Sequence, residues 1–386
     1  MEKDLELIKR GGAEIISEAE LVKKLESKKK LRIKLGVDPT APDIHLGHSV
    51  ILNKLKVFQD LGHQIIFLIG DFTALIGDPS GRNSTRPVMT PAEIAENIKT
   101  YKEQVFKILD VSKTEVVFNS KWLEKLGITG LLNLTSRCTV SQMLERDDFH
   151  TRYTQEKPIS IVEFLYPLLQ AYDSVELKAD VELGGTDQKF NLLLGRQMQR
   201  DFNQEPQIVL TMPLLEGTDG VKKMSKSYGN YIALNEPPKE MFGKIMSISD
   251  ELMHKYFELL TTRDMAEVKA MHPKEAKMSL AEEIVTRYHG SAAAGEARTG
   301  FDKVFANKDL PDDIEEYVLN QEKIKLSDLL VASGLVASKN EARRLITQGG
   351  VKINQQKTVE DCEVSKDGLS PSFVVQAGKL KFKKIV

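Results

Sequence analysis

Apolar residues gather in short, nearly continuous runs over the first 215 positions, and the segments between them have helix length. LRIKLGVD (31–38) is the first run; SVILNKLKVFQDLGH follows with Val50, Leu52, Leu55 and Phe58 near helical spacing, and QIIFLIGD (64–71) is the second. Runs that are apolar throughout, rather than alternating, suit strands of a sheet covered on both faces, and a helix between two of them suits a right-handed crossover. EVVFNS (115–120), ELKADVELGG (176–185) and QIVLTMPLL (207–215) continue the pattern. Residues from about 31 to 225 are therefore expected to form a doubly wound α/β domain with a parallel sheet. Ligands of such folds sit beyond the carboxyl ends of the strands, so the residues just after each run carry the functional expectation.

Beyond Asn235-Glu-Pro-Pro the texture changes. Residues 239–305 are rich in Met, Leu and Ala with helical periodicity and few strand formers, which predicts a helical domain; the acidic DLPDDIEEYVLNQEKI (309–324), interrupted by proline, reads as a connector. In the last stretch Ser327 is expected to cap a short helix, DLLVAS, that Gly334 stops. Ser338-Lys-Asn-Glu341 has capping-box spacing for a second helix, NEARRLITQG, and Gly349-Gly350 leads into a strand, VKINQQ. The expected domains are 1–230, 231–322 and 323–386.

Composition narrows the class. Hydrophobic residues at 41% and charged residues at 28% fit a soluble globular chain. No run of about 18 apolar residues occurs, and the start MEKDLELIKRGGAEII lacks the basic opening and apolar centre of a secretory signal, so a cytoplasmic protein is expected. Cys138 and Cys362 stand far apart without CxxC or CxxH spacing; both read as small buried hydrophobes rather than a disulfide or a zinc site. Charge is uneven: residues 323–386 hold 12 Lys/Arg against 6 Asp/Glu, a net of +6, within a chain whose formal total is -2. A basic C-terminal module on an acidic body points to nucleic acid.

Two short segments carry candidate chemistry. In PTAPDIHLGH, Pro39 to His48, the two histidines stand three apart at a helix start, on one face and near backbone N–H groups that favour an anion, and Gly47 permits close approach of a flat ring or sugar. A zinc site needs three or four protein ligands, and no Cys or HExxH accompanies the pair. The second segment, VKKMSKSYGN (221–230), has lysines three apart with serines beside them and no carboxylate nearer in sequence than Asp219; such a loop can wrap a polyphosphate.

HLGH at 45–48 and KMSKS at 223–227, in that order, resemble the signatures of the class I aminoacyl-tRNA synthetases. Neither a Walker A loop nor GxGxxG is present. FLYPLLQAYD, with Tyr166, Gln170 and Asp173 on one face of a largely apolar helix, together with IGDPSG (76–81) and GGTDQ (184–188), resembles bacterial tyrosyl-tRNA synthetase along essentially the whole chain. That resemblance implies a Rossmann-like catalytic domain, a helical anticodon-binding domain and an S4-like RNA-binding module. It implies a substrate ammonium bound by Asp78, Tyr166 and Gln170, a phenol hydroxyl received by Asp173, and Gln188 and Asp187 meeting substrate and ribose. ATP-binding would also involve Gly36, Asp38, Gly47, Gly185 and Met224. Thr40 and His45 would contact the γ-phosphate and His48 the nucleotide, while Lys223, Lys226 and Ser227 close over pyrophosphate.

One departure stands out. Many members of the family carry Tyr-Cys-Gly ahead of Asp-Pro-Thr, the Tyr giving a second hydrogen bond to the phenol and the Cys touching ribose; here the residues are Lys34-Leu35-Gly36. Whether Lys34 substitutes is left open, and a subgroup is suggested. The C-terminal helix-turn-helix-strand, with Lys339, Arg343, Arg344 and Lys352, resembles the S4 module and would contact tRNA. The implied activity is formation of tyrosyl-adenylate from L-tyrosine and ATP, with Mg2+ on the ATP phosphates, then transfer to the 3' end of tRNA(Tyr), in a dimeric enzyme. A tryptophanyl-tRNA synthetase-like enzyme and a non-catalytic RNA-binding protein on the same fold are the alternatives.

Overall fold

The computed structural model describes residues 2–27, 30–39, 44–80, 89–305, 314–319, 321–365, 372–378 and 381–386. It comprises two compact units, residues 1–298 and 299–386. The first is built on β1 (Glu14–Ile16), β2 (Arg32–Val37), β3 (Gln64–Ile69), β4 (Thr114–Phe118), β5 (Val181–Gly185) and β6 (Ile208–Met212), in the order β1-β6-β5-β2-β3-β4. All neighbours pair in parallel except the edge strand β1, which runs antiparallel to β6 and which the apolar pattern did not announce. Ile65 through Ile69 are all buried, and so are all five residues of β5 and of β6, which is why these strands read as continuous apolar runs.

The chain moves outward from β2 through β3 to β4, then returns past β2 to lay down β5 and β6. The order therefore reverses between β2 and β5, and a crevice opens at their carboxyl ends. The segment expected as a strand over 176–185 is a strand only from Val181. Glu176 and Leu177 still belong to the helix Ile161–Leu177, whose periodicity runs on through the buried Val175 and Leu177 to a left-handed turn at Lys178 (φ 48°).

The helix Leu46–Asp60 carries HLGH at its start and buries Val50, Leu52, Leu55 and Phe58, as their spacing predicts. Helices Pro238–Ser247, Asp250–Leu260, Met265–Ala270, Pro273–His289 and Ser291–Phe305 fill the region of helical texture. Asp250–Leu260 reaches the approach to KMSKS: the Tyr256 hydroxyl donates to the Glu216 carbonyl at 2.9 Å and Lys255 pairs with the Glu216 carboxylate at 2.5 Å.

The second unit, described by itself, has the helices Leu326–Ala332 and Lys339–Thr347 over two small sheets. β7 (Glu316–Tyr317), β9 (Val351–Ile353), β10 (Gln356–Thr358), β12 (Phe373–Ala377) and β13 (Lys381–Ile385) form one, in the order β10-β9-β12-β13-β7; β8 (Lys323–Lys325) and β11 (Glu363–Ser365) form the other. The residues expected as a connector thus include a strand, β7, and 309–313 lie outside the described residues. Ser327 is not the helix cap it was expected to be: the helix starts at Leu326, and Asp361 accepts from both the Ser327 N–H and its hydroxyl at 2.8 Å. A carboxylate brought from 34 residues away outcompetes the local hydroxyl. Ser338 does cap its helix, accepting from Glu341 N, and Gly334 leaves the first helix with φ 74°. VKINQQ is not one strand: β9 ends at Ile353, Asn354 and Gln355 turn with positive φ, and Gln356 opens β10, which folds back onto β9.

Candidate active site

Four loops meet at the switch point between β2 and β5. Asp38 follows β2, Asp78 lies beyond β3, Asn119 follows β4 and Gly185–Gln188 follows β5. Gln188 joins two of them: its Nε2 donates to Asp78 Oδ2 at 3.0 Å while its Oε1 accepts from the Gly185 N–H at 3.1 Å. Gln170 lies in the same web, its Oε1 accepting from Asn191 Nδ2 at 2.8 Å. Asn191 in turn receives Arg146 NH1 at 3.1 Å, and Arg146 is locked by a two-pronged pair with Asp148 at 2.6 and 2.8 Å.

Asp173 is 1% exposed. Trp122 Nε1 donates to its Oδ1 at 2.8 Å and Asn119 Nδ2 to its Oδ2 at 3.2 Å, so both oxygens are fixed in direction. Burial pushes this carboxyl up to about 7, against the pull of Lys34, Trp122 and Asn119. Asp38 is also pushed up to about 7 by burial, tempered by the hydroxyl of Thr73, which donates to Oδ1 at 2.8 Å. Among the described residues its buried Oδ2 has no close hydrogen-bond partner, and the Tyr166 hydroxyl bears on the same carboxyl. Burial and the nearby Asp38 and Asp78 carboxylates hold the Tyr166 phenol protonated. Gly70 is forced by Asp38: a Cβ there would stand 2.2 Å from Asp38 Oδ1.

The HLGH turn is arranged differently from the expectation. His45 is the N-cap; its Nδ1 accepts from the Gly47 N–H, and His48 Nδ1 accepts from the His45 N–H, both at 3.2 Å. The backbone donors expected to receive an anion are thus taken by the imidazoles themselves, which places each ring's proton on Nε2. The rings stack 4.0 Å apart, and burial drives His45 down to about 2, with help from His48, and His48 down to about 4. Two neutral N–H donors, not two cations, result. The flat ring that needs Gly47 is the imidazole of His45, which a Cβ would meet at 2.9 Å. Thr40 lies outside the described residues.

KMSKS touches this turn directly. Met224 is buried, and its sulfur lies 3.3 Å from the Gly47 nitrogen. Asn230 shapes the loop, accepting from Ser225 N at 2.9 Å and donating to Asp219 Oδ2 at 2.9 Å; Gly229 turns the chain at φ 66°. Lys226 and Ser227 are exposed in a short 3-10 turn. The absence of a carboxylate partner, read from sequence distance, is corrected for Lys223: its Nζ lies 3.3 Å from Asp187 Oδ2, 36 residues away. Asp187 also forces Gly185, where a Cβ would stand 2.5 Å from its Oδ1. At Gly36 a Cβ would meet only Leu68, at 3.5 Å, so packing alone does not demand glycine there.

Lys34, left open as a phenol partner, is engaged by a carboxylate on the neighbouring strand. Its Nζ pairs with Glu182 Oε1 at 2.9 Å, and the side chain is fully buried. In the C-terminal unit Lys339, Arg343 and Arg344 are exposed on one short helix and Lys352 is half-buried on β9; Lys339 pairs with Asp328 at 2.5 Å and Arg343 lies 3.9 Å from Asp361. Both cysteines are half-buried rather than core.

Sequence reasoning missed Trp122, Asn119, Asn191 and Arg146. Asn119 closes a strand end and was open to the switch-point rule, and Asn191 stands three residues after Gln188 at the start of a helix. Trp122, the one tryptophan of the chain, carried no local signal.

The family described as tRNA synthetases class I (W and Y) matches residues 26–306, and the tyrosine–tRNA ligase SYY-like C-terminal domain matches 307–385. The chain is 55% identical to the tyrosine–tRNA ligase of Geobacter sulfurreducens, over 98% of this chain and 97% of that one. It is 54% identical to the Aquifex aeolicus tyrosine–tRNA ligase, over 100% and 99%. Among solved structures, the tyrosyl-tRNA synthetase of Archaeoglobus fulgidus complexed with L-tyrosine aligns with TM-score 0.63 at 25% identity, covering 77% of this chain and 99% of that one. A C-terminally truncated mitochondrial tyrosyl-tRNA synthetase of Aspergillus nidulans shares the fold, with TM-score 0.67 at 22% identity over 78% and 94%.

Proposed function

The chain belongs to the tyrosine–tRNA ligases of class I, and from that premise we propose which of its residues carry each part of the reaction. It activates L-tyrosine with ATP to tyrosyl-adenylate and pyrophosphate, then transfers the tyrosyl group to the 3' end of tRNA(Tyr). The substrate's own carboxylate attacks the α-phosphate, so the protein needs no nucleophile; it must hold two substrates in line and stabilise charge on the departing phosphates.

The observation that carries the assignment is Asp173, a buried carboxylate whose two oxygens are aimed by Trp122 and Asn119 at the carboxyl end of the sheet. We assign it the phenol hydroxyl of tyrosine. Asp78, Tyr166, Gln170 and Gln188 take the ammonium end, where Asp78 and Gln188 are already hydrogen-bonded to each other. ATP enters as its magnesium complex, the hard cation carried on phosphate oxygens. Gly36, Asp38, Gly185 and Asp187 are assigned to its nucleoside side. Thr40 and His45 are assigned to its γ-phosphate and Gly47 and His48 to the nucleotide, with the imidazoles acting as neutral donors. Lys223, Lys226 and Ser227 close over pyrophosphate, Lys223 leaving Asp187 to do so, and Met224 is assigned to ATP.

Helices 239–305 are assigned to anticodon contact, and Lys339, Arg343, Arg344 and Lys352 to the tRNA backbone, where exposed cations displace counterions. Deleting residues 323–386 is expected to leave ATP–pyrophosphate exchange within about twofold of the full chain while reducing charging of tRNA(Tyr) at least tenfold. Loss of both activities together would make the module structural.

A second copy of the chain is assigned to the segment 128–161, in which Ile128, Leu132, Val140, Tyr153 and Ile161 are each 64–81% exposed. Exposed apolar residues in such a concentration suit a protein interface. Ile161→Glu is expected to convert the dimer to a monomer in sedimentation velocity; an unchanged dimer would place the interface elsewhere. With soluble tRNA as its substrate, and with no described helix long and apolar enough to cross a membrane, the enzyme is assigned to the cytoplasm.

A further inference from the structure

Behind the residues assigned to tyrosine lies a buried ion pair that the reaction itself does not use. Lys34 on β2 and Glu182 on β5 are register partners in the parallel pairing, so their side chains leave the sheet side by side. They are 0% and 1% exposed. The ammonium of Lys34 has three acceptors: Glu182 Oε1 at 2.9 Å, Ser174 Oγ at 2.8 Å and the Gln170 carbonyl at 3.2 Å. Glu182 accepts in turn from Ser174 Oγ at 2.9 Å, from Gln170 Nε2 at 3.5 Å and, by a short contact, from Gln207 Nε2.

Packing does not require such a pair. Two hydrophobic residues of similar volume commonly serve a buried site as well or better, because desolvating two charges is costly. What the pair does touch is one stretch of helix. It holds Gln170 by its main-chain carbonyl and by its side-chain nitrogen, and it holds Ser174, the residue after Asp173. Glu182 accepts from the NH2 end of Gln170 on the β5 side, which leaves Oε1 to accept on the Asn191 side.

We propose that Lys34 and Glu182 form a positioning pair for tyrosine selection: they fix the amide of Gln170 and hold Ser174, the residue beside Asp173. The proposal rests on the assignment of Gln170 and Asp173 to tyrosine. It also accounts for the lysine at a position where many members of the family place a phenol partner: this chain supports the pocket from behind instead. Among the described residues, the charged and titratable groups facing Asp173 are Lys34 from β2, Asp38 just after β2, Glu182 from β5 and Tyr166 from its own helix, with Trp122 and Asn119 as neutral donors. Asp78 faces Asp38 and Tyr166. Lys34 is the one cation in this group and acts on Asp173 more strongly than Glu182 does.

The test compares Lys34→Met, the charge-neutral double variant K34M/E182Q and Asp173→Asn by ATP–pyrophosphate exchange over a pH series, with thermal unfolding as the check on folding. Lys34→Met is expected to raise KM for tyrosine about tenfold or more, to leave KM for ATP within about twofold, and to move the acid limb of kcat/KM for tyrosine to higher pH. Should the single variant unfold, because it strands a buried carboxylate, the double variant decides. It is expected to melt near the parent and still show the raised KM and the displaced limb. A folded double variant with the parent's tyrosine KM and acid limb would overturn the positioning role. If instead Asp173→Asn kept the parent's acid limb and its preference for tyrosine over phenylalanine, the assignment of Asp173 itself would fall, and this inference with it.

Discussion

Replacing Asp173 by asparagine lowers kcat/KM for tyrosine in ATP–pyrophosphate exchange by about 60- to 20,000-fold and leaves phenylalanine far less affected. Two effects add. The phenol loses a charged acceptor, and the Asn amide cannot accept from both Trp122 Nε1 and Asn119 Nδ2 while presenting its own NH2, so a buried donor is stranded. A hydrogen bond to a charged group contributes about 1.5–3 kcal/mol and an orphaned buried donor costs about 1–3 kcal/mol, which together give that range at roughly 1.4 kcal/mol per decade. The same carboxylate predicts pH behaviour. Burial lifts Asp173 to about 7, so kcat/KM for tyrosine falls as pH drops through that region, where the carboxyl takes up a proton and ceases to be an acceptor. The sign for stability is opposite to that of an ordinary paired carboxylate. Asp173 and Asp38 bind protons more tightly folded than unfolded, so their contribution to stability declines as pH rises from about 4 to about 7. Equal discrimination between tyrosine and phenylalanine in Asp173→Asn would remove this residue from the phenol site.

Replacing Lys226 by alanine slows adenylate formation about 100- to 1,000-fold in pre-steady-state measurements while the dissociation constant for tyrosine stays within about twofold. Lys226 is exposed in the 3-10 turn Lys226–Tyr228, a loop tied to the HLGH helix through Met224 and shaped from within by Asn230. An ammonium carried there can follow the negative charge that leaves with pyrophosphate, and one donor to charge developing in a transition state contributes about 2.7–4 kcal/mol. Its effect belongs to the rate because the ground-state tyrosine complex does not contain that charge. Lys223→Ala tests a different interaction, since Lys223 begins paired with Asp187 at 3.3 Å and trades one anion for another. An unchanged adenylation rate in Lys226→Ala would contradict the assignment of KMSKS to the leaving group.

What the sequence revealed and what it withheld follow from how local each signal is. β2, β3 and the HLGH helix were legible because strand and helix periods are written in adjacent residues, and HLGH and KMSKS, singled out in that order, touch through Gly47 and Met224. The strand expected at 176 began late because an apolar helix end and an apolar strand share the same composition, and only the left-handed Lys178 separates them. The partners that orient the site were invisible for another reason. Trp122 and Asn119 reach Asp173 from more than 50 residues away, Lys34 meets Glu182 across two strands that are distant in the chain, and Asp361 displaces Ser327 as a cap from 34 residues off. The same holds for Lys223 and Asp187. Sequence distance hides such pairs, whereas the sheet register makes them neighbours.

Exchange of labelled pyrophosphate into ATP with tyrosine, phenylalanine or tryptophan as the sole amino acid tests the central claim, that a directed Asp173 carboxylate reads a phenol. The account predicts exchange with tyrosine and kcat/KM values at least 100-fold lower for the other two; comparable values for phenylalanine or tryptophan would contradict it.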